Sequence, residues 1–332
     1  MMMMNDVGRP RIPFRRVPRT NPSSDRPNPP PELRNIHAPT PKEYAAVKRT
    51  LGKATNFPPE LIDIIMDFAE YWACSIASID YSVTVNGHLA VHGGRPGEDK
   101  FVLRTEPLGL TTWHSTDQKQ WQAAAPACKL GEEYSRTELE RFVEGPPSTL
   151  DHPFRKIVFD IVSRDQGWSP QRDSHGTYRF SPTWFDVGID RFDKGHTCPD
   201  EQMEKSESKA PYGSEKIPTT SAIRPIWPPL KENLSEYYHQ LHPAADHKIQ
   251  CNRVAEHDWQ HHRIEWSYTD DIDPKSSGGQ ELDSIGRGSA TGDGSFLRSL
   301  KVGDMVTVWA RARFPSWVNS IQKVRVEVYW AL

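Results

Sequence analysis

The segment that decides the fold reads VTVWARARF at residues 306–314, and KVRVEVYW follows it at residues 323–330. In both, apolar and polar side chains alternate with a period of two, which is the pattern of a β-strand that buries one face. Only a short stretch separates the two segments, so we expect them to lie side by side as a hairpin. The carboxyl-terminal end of the chain is therefore predicted to be β structure.

Shorter segments with strand-like patterns lie upstream, and residues 178–189 are predicted to be the partner strand of residues 155–162. Long irregular connections separate these segments, without the strand–helix–strand rhythm of a parallel sheet. We therefore predict a mainly β fold, either a β-sandwich or a jelly roll. The upstream segments are residues 79–85, 100–103, 155–162, 178–189 and 263–268.

Two polar stretches interrupt the strand pattern. Residues 193–222 are rich in Gly, Ser, Lys and Glu, and a short helix is expected at residues 230–241. Because the strands on both sides of this interruption need partners, we treat residues 75–332 as one sandwich. That sandwich is predicted to carry mobile insertions at about residues 193–246 and 270–294.

The first 40 residues differ in kind from the rest of the chain. They contain few apolar residues, so they bury too little surface to offset the entropy lost on ordering. We predict a disordered tail, which is either a basic localisation or partner-docking arm or a solvated segment without a partner. Its arginines, which lie among prolines, include Arg9, Arg11, Arg15, Arg16 and Arg19.

A helical segment is predicted at residues 41–74. A capping box at residues 40–43, with proline at the first helical position, begins one helix. A second helix begins at residues 58–60, where proline and an acidic residue suit a helix amino terminus. We expect its apolar face either to pack on the sandwich or to dock onto another protein. This face consists of Leu61, Ile64, Ile65, Phe68 and Trp72, of which the first four are the predicted docking residues.

Composition narrows the partners and the compartment. The 332 residues include 36% hydrophobic residues and 29 prolines, with a mean hydropathy of −0.70, which indicates sizeable unpacked segments around a smaller folded unit. A net charge of −3 does not favour nucleic acid. No apolar run approaches the roughly 20 residues of a membrane span, and the start lacks the apolar stretch of a secretory signal. We expect a soluble protein of the cytosol or nucleus.

Neither a disulfide framework nor a cofactor is expected. The four cysteines, Cys74, Cys128, Cys198 and Cys251, are widely spaced and form no CxxC pair, so we interpret them as free thiols. The sequence also lacks the GxSxG, P-loop and dinucleotide-binding motifs. No catalytic residue is therefore assigned.

Two clusters of potential metal ligands lack the spacing that a metal site requires. His257 and His261 would share a face only on a helix, and a strand is predicted just beyond His262. The acidic residues of 270–281 do not match a calcium-binding loop. We predict no metal site and interpret the second cluster as an acidic loop.

Two stretches resemble segments of a group of fungal proteins. One combines SRDQGW at residues 163–168 with TWF at residues 183–185, and the other is GDMVTVWARARFPSWVN at residues 303–319. The carboxyl-terminal region of that group looks like a galactose-binding-type jelly roll. The resemblance covers residues 150–332 in patches. It implies a jelly-roll fold for this region and little about function.

A second resemblance concerns FPPELI at residues 57–62 and the helix that continues through Phe68. This segment is similar to the opening helix of an F-box, the module that docks substrate receptors onto ubiquitin-ligase scaffolds. The resemblance covers residues 57–73 and implies a partner-docking helix. An F-box continues with further helices, whereas strands are predicted to follow this helix almost at once.

The SRDQGW turn is the first candidate binding site. Arg164, Asp165 and Trp168 would form a polar pocket with a stacking wall at the sandwich edge, and we assign Trp184 to the same set of binding residues. The alternative is structural: Asp165 bonds turn amides or pairs with Arg164, while Trp168 caps the core. An active site around Arg164, Asp165 and His175 is a further alternative.

The closing strands supply the second candidate. Trp309, Arg311 and Arg313 share one face of a strand, to which Arg325 and Tyr329 of the expected hairpin neighbour are added. Aromatic and guanidinium groups together suit sugar stacking, acidic peptides or phosphate. The alternative is a surface that lies between sheets or under an insertion, with its arginines paired to acidic residues.

Three functions fit these patterns. The first, which we prefer, is a non-catalytic binding or adaptor protein whose sandwich recognises a protein or glycan partner. The second is an F-box-like substrate receptor of a ubiquitin ligase, which requires the apolar face of the second helix to be exposed. The third is an enzyme with an unrecognised site near Arg164 and Asp165, which requires titratable groups that converge in a pocket.

Overall fold

The computed structural model describes residues 39–113, 115, 117–143, 150–195, 218–232 and 236–331. Except for Pro39 and Thr40, the predicted disordered tail lies outside these residues. So do Cys198 and two parts of the first predicted insertion, residues 196–217 and 233–235.

Two helices come first along the described chain. Helix α1 (Pro41–Thr55) begins at the predicted capping box: the N–H of Glu43 donates to Oγ1 of Thr40 at 3.3 Å, and the Glu43 carboxylate accepts from the N–H of Thr40 at 2.8 Å. Helix α2 (Pro59–Phe68) also begins where predicted. It is shorter than expected, because strand structure starts at Ala73.

Ten strands follow within the described residues, together with short helices in their connections. The helices are α3 (Gln118–Trp121), α4 (Arg136–Glu140), α5 (Ser277–Ser284) and α6 (Ser295–Ser299). The strands are β1 (Ala73–Asp80), β2 (Leu89–His92), β3 (Asp99–Arg104), β4 (Phe154–Arg164), β5 (Thr183–Phe192), β6 (Ile223–Trp227), β7 (Lys248–Cys251), β8 (Gln260–Ser267), β9 (Met305–Ala312) and β10 (Val318–Trp330).

The strands form two antiparallel sheets. In the first sheet the order is β1-β10-β4-β8, and β2 pairs with the start of β10 beside β1. In the second sheet the order is β3-β9-β5-β6, and β7 pairs with the start of β5. The prediction of a mainly β fold is confirmed, and the two sheets form a sandwich-like body.

One hydrophobic core unites the inner faces of the two sheets. In β9 the alternate residues Val306, Val308, Ala310 and Ala312 are buried in this core, and in β10 so are Val324, Val326 and Val328. Period-two alternation thus marks the core-facing side of each closing strand, as the sequence predicted. The core also includes residues of α1 and α2, so the helices pack on the same body.

The predicted hairpin pairing of the closing strands is wrong. Strands β9 and β10 belong to different sheets, and so do β4 and β5, which were also predicted to be partners. Each pair is joined by a connection that crosses from one sheet to the other, which lets the two apolar faces meet across the core. Because Ser320 pairs with Arg164, and Thr183 with Ala312, both crossings lie at the same end of the body.

Four other predictions need correction. Strand β6 lies within the first predicted insertion, and α5 lies within the second, where a loop was expected. The short helix expected at residues 230–241 is not formed by its described residues, which instead make a bridge between Leu230 and Tyr237. The strand predicted at residues 79–85 begins earlier and ends at Asp80.

A buried polar network joins the sheets where the two crossings meet. Asn252 donates from Nδ2 to Oγ1 of Thr183 at 3.1 Å and to Oδ1 of Asn319 at 2.9 Å, and its Oδ1 accepts from Oγ of Ser163 at 2.7 Å. Asn319 donates in turn to main-chain carbonyl oxygens of β5 and β9. Buried polar groups need such partners. The network therefore joins Ser163, Thr183 and Asn319, which are far apart in sequence.

Two general features complete the description. In the described part of the chain, no helix combines the length and apolarity needed to cross a membrane. Cys74, Cys128 and Cys251 are free thiols. Burial raises the pKa of Cys251 to about 11, so this thiol is protonated at neutral pH.

Candidate functional site

The Asp165 carboxylate joins the β4–β5 connection to the β7–β8 connection. Its carboxylate accepts from the N–H of Gly167 at 2.7 Å, of Ala255 at 2.6 Å and of Glu256 at 3.0 Å. Only 1% of the residue is exposed, and burial raises its pKa despite these bonds. Asp165 therefore has the turn-bonding role that was the structural alternative for this residue.

The other residues of this candidate site point to separate partners. Nη1 of Arg164 donates to the carbonyl oxygen of His257 at 2.5 Å, and its guanidinium lies 4.4 Å from the ring centre of Trp259. Nε2 of His175 bonds the carbonyl oxygen of Ser169 at 2.8 Å. Trp168 is 55% exposed, so the expectation that it caps the core is wrong. The side chains of Arg164, Asp165 and His175 are each engaged by different backbone groups.

The predicted ligand face on β9 is covered. Trp309, Arg311 and Arg313 are 4%, 2% and 3% exposed, because the segment around Tyr237 and Gln240 lies over them. The expectation of an open stacking face is wrong for these three side chains. The structure instead has the alternative arrangement, a covered surface whose arginines are paired with acidic residues. Arg325 and Tyr329 lie on the other sheet, where both contact Glu327.

The arginines under this cover are paired with buried carboxylates. Arg311 donates from Nε to Oδ2 of Asp186 at 3.0 Å and from Nη1 to Oδ1 of Asp99 at 2.8 Å. Nη2 of Arg313 donates to the same Asp99 oxygen at 2.7 Å and to the carbonyl oxygen of Gln240 at 2.8 Å. This pairing satisfies the requirement that buried charges have partners. It also ties the covering segment to the sheet.

Burial shifts the pKa values of this layer. Desolvation raises the pKa of Asp186, and Arg311 opposes that shift. Desolvation, and then the positive charge of Arg311, lower the pKa of His239 to about 4. The imidazole is therefore neutral at neutral pH, and its Nδ1 accepts from Nη1 of Arg311 at 2.6 Å.

An open groove lies at the end of the body where the two crossings meet. It has a volume of about 910 Å³ and is lined by the β4–β5 and β9–β10 connections, by residues 241–243 and by α5. A second depression of about 600 Å³ shares Pro170, Gln171, Arg179 and Phe180 with it, so the groove continues past Phe180. The aromatic side chains along the main part are Tyr178, Phe180, Trp184, Phe314 and Trp317. We call the two depressions together the groove.

Two predicted binding residues belong to the wall of the groove. Trp184 is 1% exposed, and its indole Nε1 donates to Oδ1 of Asp186 at 2.9 Å. The guanidinium of Arg313 lies 5.1 Å from the Trp184 ring centre. They form the inner side of the groove, while more exposed aromatic residues form its rim.

Two rim phenylalanines have an unusual backbone conformation. Phe180 has φ 57° and Phe314 has φ 66°, both in the left-handed region that bulky side chains avoid. Such a conformation costs roughly 1–2 kcal/mol per residue. Burial does not compensate for it, because Phe180 is 76% exposed and Phe314 is 49% exposed. Residues held in strained, exposed conformations cluster at functional sites.

Cationic side chains outnumber carboxylates along the groove. Lys248 is bound to Asp283, with Nζ 2.6 Å from Oδ1. Arg172 and Arg179 are exposed and form no ion pair with any residue that the structure describes. The groove therefore offers two guanidinium groups beside its aromatic rim.

A second surface lies on α2. Leu61, Ile64 and Ile65 are 44–45% exposed, Phe68 is 88% exposed, and Phe57 just before the helix is 45% exposed. We call these five side chains the α2 face. The patch is on the order of 500 Å², near the upper end of what monomeric proteins expose.

The opposite side of α2 is held firmly. Ile62 and Met66 are buried in the core, and Asp63 forms a buried ion pair with Lys48 of α1, with Nζ 2.6 Å from Oδ1. Near the end of the helix, Asp67 accepts from Nε of Arg155 of β4 at 2.7 Å. The α2 face is therefore presented in a fixed orientation.

Metal ligation is not supported where the sequence has its histidine and acidic clusters. His261 lies on β8, where Nε2 contacts Asp160, and His262 is buried with its pKa lowered to about 4 by desolvation. Across the described ranges, no three His, Cys, Asp or Glu side chains lie close enough to hold a metal ion.

No family model, curated protein or solved structure matches this chain. Among the residues that the structure describes, the α2 face and the groove combine exposed apolar side chains with an anchored or strained backbone.

Sequence reasoning identified the α2 face but missed most of the groove. Tyr178, Phe180 and Phe314 were not among the candidate residues, although Phe314 and Trp317 lie within the stretch quoted at residues 303–319. A bulky residue carries no sequence signal for a left-handed backbone. Glycine or asparagine at these positions would have indicated such a turn.

Proposed function

We propose that this chain is a non-catalytic adaptor that docks to another protein through the α2 face. The observation that carries the proposal is the exposure of five large apolar side chains, four on one side of a helix whose other side is anchored and one, Phe57, just before it. Scattered apolar residues on a surface need no explanation, whereas a contiguous patch rimmed by polar groups marks an interaction site.

The anchoring of α2 supports the same proposal. A helix held in its binding orientation loses little conformational freedom on association, and so keeps more of its binding energy. Amphipathic helices present apolar anchors at i, i+3, i+4 and i+7 to a partner groove. Leu61, Ile64, Ile65 and Phe68 have this spacing.

We also infer that the sandwich-like body is a jelly roll. The sheet orders β1-β10-β4-β8 and β3-β9-β5-β6 support this, because successive strands pass repeatedly from one sheet to the other. An eight-stranded jelly roll of two Greek keys has such crossings. The inference agrees with the jelly roll that the fungal resemblance implies.

The contacts around SRDQGW support a binding function over an enzymatic one. The Asp165 carboxylate is occupied by three backbone N–H groups, and His175 is bonded to a carbonyl oxygen. A general acid or base needs to reach a reacting proton. These side chains would have to give up structural bonds to do so.

The proposal is tested by affinity capture from native extract with three forms of the protein. These are the intact chain, the variant Leu61→Asp/Ile65→Asp, and the control Val83→Asp/Val85→Asp, which adds the same charges at an exposed apolar pair outside α2. We expect partners that are captured by the intact chain and the control and lost with the α2 variant. Identical capture sets for all three folded proteins would exclude the α2 face as a docking surface.

An F-box-like substrate receptor is a more specific form of this function. It requires the α2 face to be exposed, and the exposure of Leu61, Ile64, Ile65 and Phe68 meets that requirement. The start of β1 at Ala73 leaves no room for further helices directly after α2. The same experiment tests this form, because ubiquitin-ligase scaffold subunits would be among the partners lost with the α2 variant.

A further inference from the structure

We infer that the groove binds an extended acidic peptide segment of a partner protein. Apolar side chains of the peptide lie on Phe180 and Phe314, and its carboxylates bind Arg172 and Arg179. This inference goes beyond the adaptor proposal, because it concerns a different end of the molecule and different residues.

The shape of the groove suits a polymer. Its two depressions, of about 910 and 600 Å³, meet at residues 170–171 and 179–180. Small-molecule pockets occupy roughly 300–1,000 Å³ and bury most of their ligand. A groove that reaches the upper part of this range in one depression and continues into another fits an extended chain with side chains on both sides of Phe180.

The exposure and the backbone conformation of the two rim phenylalanines indicate that these residues serve to bind a ligand. Phe180 and Phe314 combine a large exposed apolar surface with a left-handed backbone. Both features raise the free energy of the folded protein when no ligand is bound. They lie on the two connections that cross between the sheets, and the network around Asn252 and Asn319 fixes the base of those connections. The two aromatic rings are therefore placed by a rigid support, which suits a preformed recognition surface.

The charge of the groove selects the kind of peptide. Lys248 and Arg313 of the lining are paired with Asp283 and Asp99. Arg172 and Arg179 lack an ion-pair partner in the described part of the chain, and the one further carboxylate of the lining is that of Asp173. Arginine binds carboxylates through two parallel hydrogen bonds, which favours an acidic ligand. The net charge of −3 for the whole chain disfavours a nucleic acid ligand, which depends on an extended basic surface.

The protein's own amino-terminal tail does not have this chemistry. Its arginines outnumber its acidic residues, so it would bring like charge to Arg172 and Arg179. The groove therefore fits a segment of another protein better than residues 1–38. A synthetic peptide of residues 9–20, which is basic, therefore serves as the matched control for the acidic peptides.

The test begins with a phage library of random 12-residue peptides panned on the intact chain. We expect enrichment of sequences in which Asp or Glu flanks aromatic or aliphatic residues. The enriched peptides are then synthesised and titrated by fluorescence polarisation. Their affinity should fall at least tenfold with Phe180→Asn/Phe314→Asn and with Arg179→Glu. Panning on Arg179→Glu should enrich Lys and Arg in place of acidic residues.

Asparagine is chosen because it tolerates a left-handed backbone, so these variants keep the fold while they lose the rings. The inference is overturned if panning enriches nothing, if the groove variants bind the peptides as well as the intact chain, or if the peptide of residues 9–20 binds as tightly. It is also overturned if a neutral oligosaccharide array or poly(dT) gives groove-dependent binding that the acidic peptides do not. The variant Leu61→Asp/Ile65→Asp should bind the peptides normally, which separates this inference from the adaptor proposal.

Discussion

Nζ of Lys48 lies 2.6 Å from Oδ1 of Asp63, and this ion pair joins α1 to α2. The two side chains are 4% and 0% exposed. At this depth the two opposite charges compensate each other. Together with the burial of Ile62 and Met66, the pair holds α2 in the orientation in which Leu61, Ile64 and Phe68 face solvent.

Removal of one partner of this pair is expected to destabilise the protein strongly. Lys48→Met leaves the Asp63 carboxylate buried without its cation, which lowers the free energy of unfolding by about 3–5 kcal/mol. The double variant Lys48→Met/Asp63→Leu should recover most of that loss, because neither charge then remains. Urea denaturation of the intact chain and both variants measures the difference. A double variant no more stable than Lys48→Met would contradict this account of the pair.

Stability should depend on pH through His239. Its pKa of about 4 in the folded state lies below the ordinary value near 6.5, so the unfolded state binds the proton more readily. The contribution of neutral His239 to the free energy of unfolding is fully present above pH 6.5 and is lost as pH falls towards 4. Its size is on the order of 3 kcal/mol. The neighbouring Asp99, Arg311 and Arg313 set this pKa together with burial.

The measurement compares unfolding free energies of the intact chain and His239→Gln between pH 8 and pH 4. The variant should lose less stability over the acid part of this range. His262, whose pKa is also lowered, and Asp186, whose raised pKa has the opposite sign, remain in both proteins and so largely cancel in the comparison. Parallel curves for the two proteins would show that His239 does not titrate as stated.

Period-two alternation was sufficient to predict strands but not to assign them to sheets. Val306 to Ala312 and Val324 to Val328 were correctly expected to be strands with one buried face. Alternation gives the same pattern whether two strands pair directly or face each other across a core. The connection at residues 313–317 crosses between sheets. At its two ends, the N–H of Arg313 donates to the carbonyl oxygen of Pro182 and the N–H of Val318 donates to Oε1 of Gln166, contacts that are distant in sequence.

For a similar reason, the sequence could not predict that the face of β9 with Trp309, Arg311 and Arg313 is buried. The alternation showed that Trp309, Arg311 and Arg313 share a side. It could not show that residues near Gln240, more than 70 positions away, cover that side. The apolar residues of α2 surround most of the helix in the sequence pattern, and only tertiary contacts such as that of Asp63 with Lys48 select the buried half.

The covered ion pairs lead to a prediction about Arg311. Arg311→Met removes the cation that faces both Asp186 and Asp99, so the free energy of unfolding at pH 7 should fall by about 3–5 kcal/mol. Without Arg311 the pKa of Asp186 rises further, since burial is then less opposed. A carboxyl group whose pKa is raised in the folded state makes the protein more stable as pH falls. The deficit of the variant should therefore shrink between pH 7 and pH 5 in urea titrations, and a constant deficit would contradict this.

The strained backbone at Phe180 gives the last prediction. Phe180→Asn removes a side chain that is 76% exposed and introduces a residue that adopts positive φ more readily. The unfolding free energy should rise by about 0.5–1 kcal/mol, whereas most substitutions lower it. Phe180→Val is the matched control, because a β-branched side chain tolerates φ 57° less well than phenylalanine and should destabilise. Calorimetric unfolding of the three proteins gives the order Asn, Phe, Val from most to least stable. If the Asn variant were instead less stable than the parent, the Phe180 ring would have to contribute packing that offsets its backbone strain, and the case for a surface maintained by binding would weaken.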